Sequence, residues 1–218
     1  SRSRRMHKAL PEEQFATPEQ QADVAAFGMW VFLATEVLFF GGMLLAYAVY
    51  RGSFPEGFAE AGRHTKIVIG TVNTVILLTS SFTMAWAVDL AEKGRGRAVA
   101  VLLGVTALFG LAFLGLKGIE YSLEWNEHLV PGLNFQMEGP HGQAVQLFYL
   151  LYFMMTGVHG LHVTIGIVLV SVMAVRAWKG AFSRDYYTPV ELTGLYWHFV
   201  DLVWIFLYPL IYLVGRSG

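Results

Sequence analysis

Six ionisable side chains of this chain stand in almost wholly apolar surroundings. Glu36 lies in FLATEVLFFGG, Glu120 in GLKGIEY beside Lys117, His159 and His162 in TGVHGLHV, and His198 and Asp201 in YWHFVDLVW. The last two pairs have i, i+3 spacing, which on a helix places both members on one side. Three chemistries use such residues. Histidine with carboxylate on several helices can form a metal or haem ligand set. Glutamate, histidine and aspartate in series can relay protons. The same groups can also pair with one another, with backbone carbonyls or with lipid heads, and so fix how helices pack. No HExxH or ExxH motif lies in the apolar segments, and a relay would have to reach both water phases from residues that cluster near mid-segment. The packing reading is therefore preferred. Gly157 and Gly160, beside the paired histidines, are small enough to admit a neighbouring helix at close range. The aromatic residues around Phe39, Phe40, Trp197 and Trp204 read as packing and interfacial belts before they read as a chromophore pocket.

These residues need membrane-spanning elements to hold them. A spanning helix requires roughly 20 largely apolar residues. Five windows qualify, at about 24–50, 67–88, 98–123, 146–175 and 192–214. The expected fold is all-α: a polytopic membrane protein with five transmembrane helices in one bundle over 24–218, preceded by a polar tail, 1–23. In that tail PEEQ and TPEQQ resemble helix-starting turns. The connections GSFPEGFAEAG, AEKGRGR, WNEHLVPGLNFQMEGPHG and KGAFSRDYYTP carry the Gly, Pro and charge expected in water. The first apolar run is too long for a signal peptide and has no small-residue cleavage site after it, so no cleaved presequence is expected.

Arg2, Arg4, Arg5, Lys8, Lys93, Arg95, Arg97, Arg176, Lys179 and Arg184 fall on one side of this arrangement, against Arg51, Arg63, Lys66 and Arg216 on the other. The excess marks the cytoplasmic side, so the N-terminus is expected to be cytoplasmic. The third connection then faces outward, with Glu124, Glu127 and Glu138 and no Lys or Arg. This acidic outer loop, 124–143, is a candidate contact for an electron donor or a supercomplex partner, or simply a solvated loop. Arg176, Trp178 and Lys179 close the fourth segment at the cytoplasmic boundary, as an interfacial anchor or a site for an anionic phospholipid head.

Composition narrows the field. The 218 residues are 55% hydrophobic and 14% charged, which sets the chain apart from soluble domains and with integral membrane proteins. A formal net charge of -1 argues against a nucleic-acid partner. With no cysteine the chain excludes disulfides, thiolate catalysis and copper or iron-sulfur sites built on thiolate.

Taken in order, TEVLFF with Glu36, IEY with Glu120, TGVHGLHV with His159 and His162, the Arg176 and Lys179 pair, and YWHFVDLVWIFLY with His198 and Asp201 resemble subunit III of the haem-copper cytochrome c oxidases. The resemblance spans about 28–215. It implies a subunit of a bacterial inner-membrane aa3- or caa3-type complex with no catalytic residue, metal ligand or redox centre of its own. Haem and copper would sit in partner chains. The subunit would pack on catalytic subunit I, with subunit II in the same complex, bind structural phospholipid, keep proton uptake fast and protect the active centre during turnover. Lipid contact carries over to Arg176 and Lys179. Glu36 matches the family's mid-membrane carboxylate, with a structural and a proton-transferring role both open. Two departures stand out. The chain begins at what would be the third helix of the seven-helix form, as short bacterial forms do, which bears on the lipid cleft that the missing pair helps enclose. The third loop is also longer than in mitochondrial members. The nearest alternatives are subunit III of a quinol oxidase and the accessory protein of a nitric oxide reductase. A stand-alone proton-coupled transporter is the rival of another class. The absence of Pro within the first four segments and of an inverted repeat speaks against it.

Overall fold

The computed structural model describes residues 17–216 apart from 138 and 185. The tail cations Arg2, Arg4, Arg5 and Lys8, the PEEQ turn and Glu138 lie outside the described residues. Within them the chain is helical: α1 (Pro18–Ser53), α2 (Pro55–His64), α3 (Ile67–Glu92), α4 (Gly96–Asn126), α5 (Gly142–Trp178) and α6 (Thr188–Tyr212). All but α2 are long and apolar enough to cross a membrane. Even α6, with 25 residues, extends ~37 Å at 1.5 Å per residue, beyond a hydrocarbon layer of ~30 Å.

The helix ends follow local chemistry. Thr17 caps α1, its Oγ1 accepting from the Gln20 amide at 3.1 Å, and Pro18 fills the first turn where no amide is needed. The first helix therefore starts well before position 24, because TPEQQ is a start signal that a hydropathy window does not see. At the other end, α3, α4 and α5 stop in the same way. The amides of Arg95, Leu129 and Ala181 reach back to the carbonyls of Leu90, Glu124 and Arg176 across a left-handed residue, respectively Gly94, His128 and Gly180. Glycine adopts that conformation freely. His128, at φ 57°, is the exception among the described residues.

The stretch GSFPEGFAEAG is not a simple connection. Pro55 starts α2, and Gly57, Phe58, Ala61 and Gly62 form its buried face while Glu56, Arg63 and His64 stay exposed. Phe58 seals this short helix against Tyr47 and Phe148, with ring centroids 5.4 and 5.5 Å away. The apolar spacing within ten residues is too short to register as a spanning pattern, which is why α2 escapes a sequence reading.

Helices α3 to α6 close a ring in chain order, each touching the next and α6 touching α3. Outside that ring, α1 leans on α5 and α6, and α2 lies mainly on α5. The most enclosed spanning helix is α6. Its Trp197 and Trp204, seven residues apart, point at α3 and donate from Nε1 to Ser80 Oγ at 3.1 Å and Thr74 Oγ1 at 3.0 Å. Glycines make room for Trp197: a methyl group on Gly110 or Gly166 would come within 2.8 or 2.9 Å of its ring. The tight approaches to Trp197 are thus at these two positions. At Gly157 and Gly160 the nearest atoms to such a methyl are 3.9 Å away, so the close helix crossing expected there lies elsewhere.

Candidate functional site: paired ionisable groups within the membrane

Glu36 of α1 meets His162 of α5, with Oε2 and Nε2 3.0 Å apart. The other ring nitrogen of His162 lies 2.8 Å from the Val158 carbonyl, which only an N–H can approach so closely. With that hydrogen on Nδ1, the contact to Glu36 needs one further proton between carboxyl and imidazole. The pair is electrically neutral wherever that proton sits. Tyr196 OH donates to the carbonyl of His162 at 3.1 Å and ties α6 to the same point. Glu36 and His162 also line a groove of 480 Å³, otherwise walled by such residues as Met29, Phe32, Ile165 and Leu169.

His159 turns away from this pair. It is wholly buried, stacked on Trp204 with centroids 5.2 Å apart and met edge-on by Phe113 at 5.5 Å. Among the described residues neither ring nitrogen has a hydrogen-bond partner. A three-residue step rotates the helix by ~60° short of a full turn, enough to send the two histidines to different neighbours. On α6, His198 Nδ1 lies 2.7 Å from Ser81 Oγ of α3. Asp201, one turn on and 3% exposed, lies beside the same serine without a well-formed hydrogen bond.

The densest polar site was not legible as such in the sequence. Lys117, 4% exposed, donates from Nζ to Glu120 Oε2 at 3.0 Å, Tyr152 OH at 2.9 Å and Tyr212 OH at 2.7 Å. All three of its protons are used. Tyr212 OH in turn donates to Glu120 Oε1 at 2.7 Å. The rings of Tyr121, Tyr152, Trp204 and Tyr212 surround the ammonium at 4.6 to 5.5 Å. One helix thus supplies the ion pair, and α5 and α6 supply the hydroxyls that complete it. The signal was the 117, 120, 124 spacing, one face of one helix. Glu124 belongs to that face: it is 1% exposed, inside α4, and not part of an outward-facing acidic loop. The next acidic residue, Glu127, is paired with Lys66 at 2.5 Å.

Arg176 lies in the last turn of α5 with its guanidinium 5.3 Å from the Phe182 ring centroid, and Lys179 follows exposed at the cap. Arg184 packs beside Gly94, so the basic connections that follow α3 and α5 lie together. Among the described residues, no three His, Asp or Glu side chains converge as a metal site would require. The ionisable groups instead form separate two- and three-helix contacts: α1 with α5, α3 with α6, and α4 with α5 and α6.

Residues 17–216 match the family described as cytochrome c oxidase subunit III. The chain belongs to that family. It is 33% identical over 198 residues to cytochrome c oxidase subunit 3 of Thermostichus vulcanus, covering 90% of each chain. It is 34% identical over 191 residues to the cytochrome bo(3) ubiquinol oxidase subunit 3 of Pseudomonas aeruginosa, covering 87% of this chain and 84% of the other. Quinol oxidase subunit 3 of Bacillus subtilis is 28% identical over 196 residues, covering 88% and 87%. Subunit III is one chain of a multi-subunit oxidoreductase, and five apolar helices make this member a multi-pass membrane protein.

Proposed function

We propose that this chain is the non-catalytic subunit III of a bacterial aa3- or caa3-type cytochrome c oxidase, seated in the cell membrane with its N-terminus cytoplasmic. The observation that carries the reading is the pairing pattern. Glu36 with His162, Ser81 with His198, and Lys117 with Glu120, Tyr152 and Tyr212 join helix to helix, so these side chains serve packing between helices. Such a donor set suits a scaffold better than a ligand sphere. Haem and copper then belong to subunits I and II, and the chain's part is to stabilise subunit I, hold phospholipid and support proton uptake. Arg176 and Lys179 supply cations at the membrane boundary for an anionic lipid head. The related ubiquinol and quinol oxidase subunits support a second reading, with quinol as electron donor to the complex.

Deleting the chain from the complex tests the supporting role. The depleted oxidase should reduce oxygen at first and then lose activity over successive turnovers, at neutral to alkaline pH. Turnover as durable as that of the intact complex would refute it.

A further inference from the structure

The outer surface of α6 carries a polar group that the chain leaves unmatched. Among the described residues α1 and α3 do not touch, although both pack on α6. Between them runs a trough. At 3.6 residues per turn, the side of α6 that meets α3 carries Trp197, Trp204 and Tyr208, and the side that meets α1 carries Tyr196 and Phe199. The arc left over holds Leu195, His198, Leu202, Ile205 and Phe206, and the last three are 50%, 42% and 54% exposed. His198 is ten residues into α6, ~15 Å from its start, at hydrocarbon depth.

The imidazole cannot satisfy itself there. If Ser81 donates to Nδ1, the neutral ring carries its hydrogen on Nε2 and offers a donor. If Nδ1 donates to Ser81, Nε2 is a bare acceptor. Either way one polar function faces the trough, with no hydrogen bond to it from the described residues. Acyl chains cannot answer it, and an unmatched polar group in hydrocarbon costs several kcal/mol. A partner side chain at the same depth can.

We propose that the trough between α1 and α3, floored by α6, receives a transmembrane helix of another oxidase subunit, with a polar side chain of that helix bonded to His198 Nε2. The proposal rests on the reading of the chain as part of a larger complex and adds the face by which it is held. Lys117, Glu120 and His162 are engaged inside the chain, so they do not compete for this role.

The test uses the whole complex in its native membrane. A photo-reactive benzoylphenylalanine replaces Leu202, and separately Leu108 of α4 or Leu161 of α5, which are 65% and 58% exposed away from the trough. Illumination should join position 202 to another polypeptide and give lipid adducts at 108 and 161. In parallel, His198→Leu should lower retention of the chain on the detergent-purified complex on the order of ten-fold, the worth of one interhelical hydrogen bond in a membrane. His198→Gln, which can donate or accept, should restore it. Lipid adducts at 202 with protein adducts at 108 or 161, or full retention of the Leu variant, would overturn the docking face while leaving subunit membership intact. Protein adducts at none of the three positions, from a chain that purifies without haem, would overturn both.

Discussion

At the scale of single residues, geometry separates groups that look alike in sequence. Glu36 and His162 share one proton between α1 and α5, so a side chain that can donate in its place should keep the link. Glu36→Gln is expected to assemble, reduce oxygen and pump protons nearly as the parent does, since the amide can donate to His162 Nε2. Glu36→Leu strands that nitrogen, at a cost of ~1 to 3 kcal/mol, and should shed the subunit more readily. Subunit retention and proton-to-electron ratio, measured side by side, decide between structural and proton-transferring roles. Lost pumping in a Gln variant that still assembles would make Glu36 a transfer group. Lys117 makes a sharper case because its partner is wholly buried. Lys117→Met leaves the Glu120 carboxylate without a cation and should destabilise by ~3 to 5 kcal/mol. Lys117→Met with Glu120→Gln removes both charges and should recover most of that loss in thermal denaturation. If the double variant were no better than the single one, the ion pair would not be what holds the three helices.

At the scale of elements, the five spanning helices were legible because apolar length is a strong signal, and their ends were less so. Thr17 and Pro18 show why: a capping turn is polar, so hydropathy places the start of α1 too late. The same blindness hid α2, whose apolar face takes four residues among charged ones. Helix contacts were harder still. Gly157 and Gly160 flank the paired histidines and look like a crossing point, yet Gly110 and Gly166 are the positions where Trp197 leaves no room. Sequence shows where small residues are, but not which large side chain arrives from another helix. Gly166→Ala should therefore force Trp197 off its serine partner and cost ~1 to 3 kcal/mol, as overpacking does. Gly157→Ala should change stability by less than ~0.5 kcal/mol. Equal thermal shifts in the two variants would contradict the placement of α6 in the bundle.

For the molecule as a whole, the chain is a closed ring of four helices with α1 and α2 set against it, and its two ends differ in charge. Arg176 and Lys179 sit at the basic end, where each cation near an anionic surface contributes ~1 kcal/mol. Replacing both by Gln should deplete tightly bound acidic lipid from the complex without altering the haem spectrum, and native mass spectrometry reads the lipid count directly. An unchanged count would remove these residues from lipid binding. Of the candidate residues, the sequence made Glu36, Glu120, His159, His162, His198 and Asp201 visible because charge is conspicuous in apolar surroundings. It did not show which of them meet, since Glu36 and His162 are 126 positions apart and Lys117 and Tyr212 are 95 apart. In the proposed role this chain serves an oxidase without carrying its chemistry. Gentle purification through a tag on the chain, followed by a visible spectrum and by haem and metal analysis of the separated subunit, tests it most directly. Haem a bands and a copper-thiolate subunit are expected in the complex, with neither haem nor stoichiometric iron, copper or zinc in this polypeptide. One haem or one metal ion per chain after separation, or a tagged chain that brings down no oxidase, would contradict it.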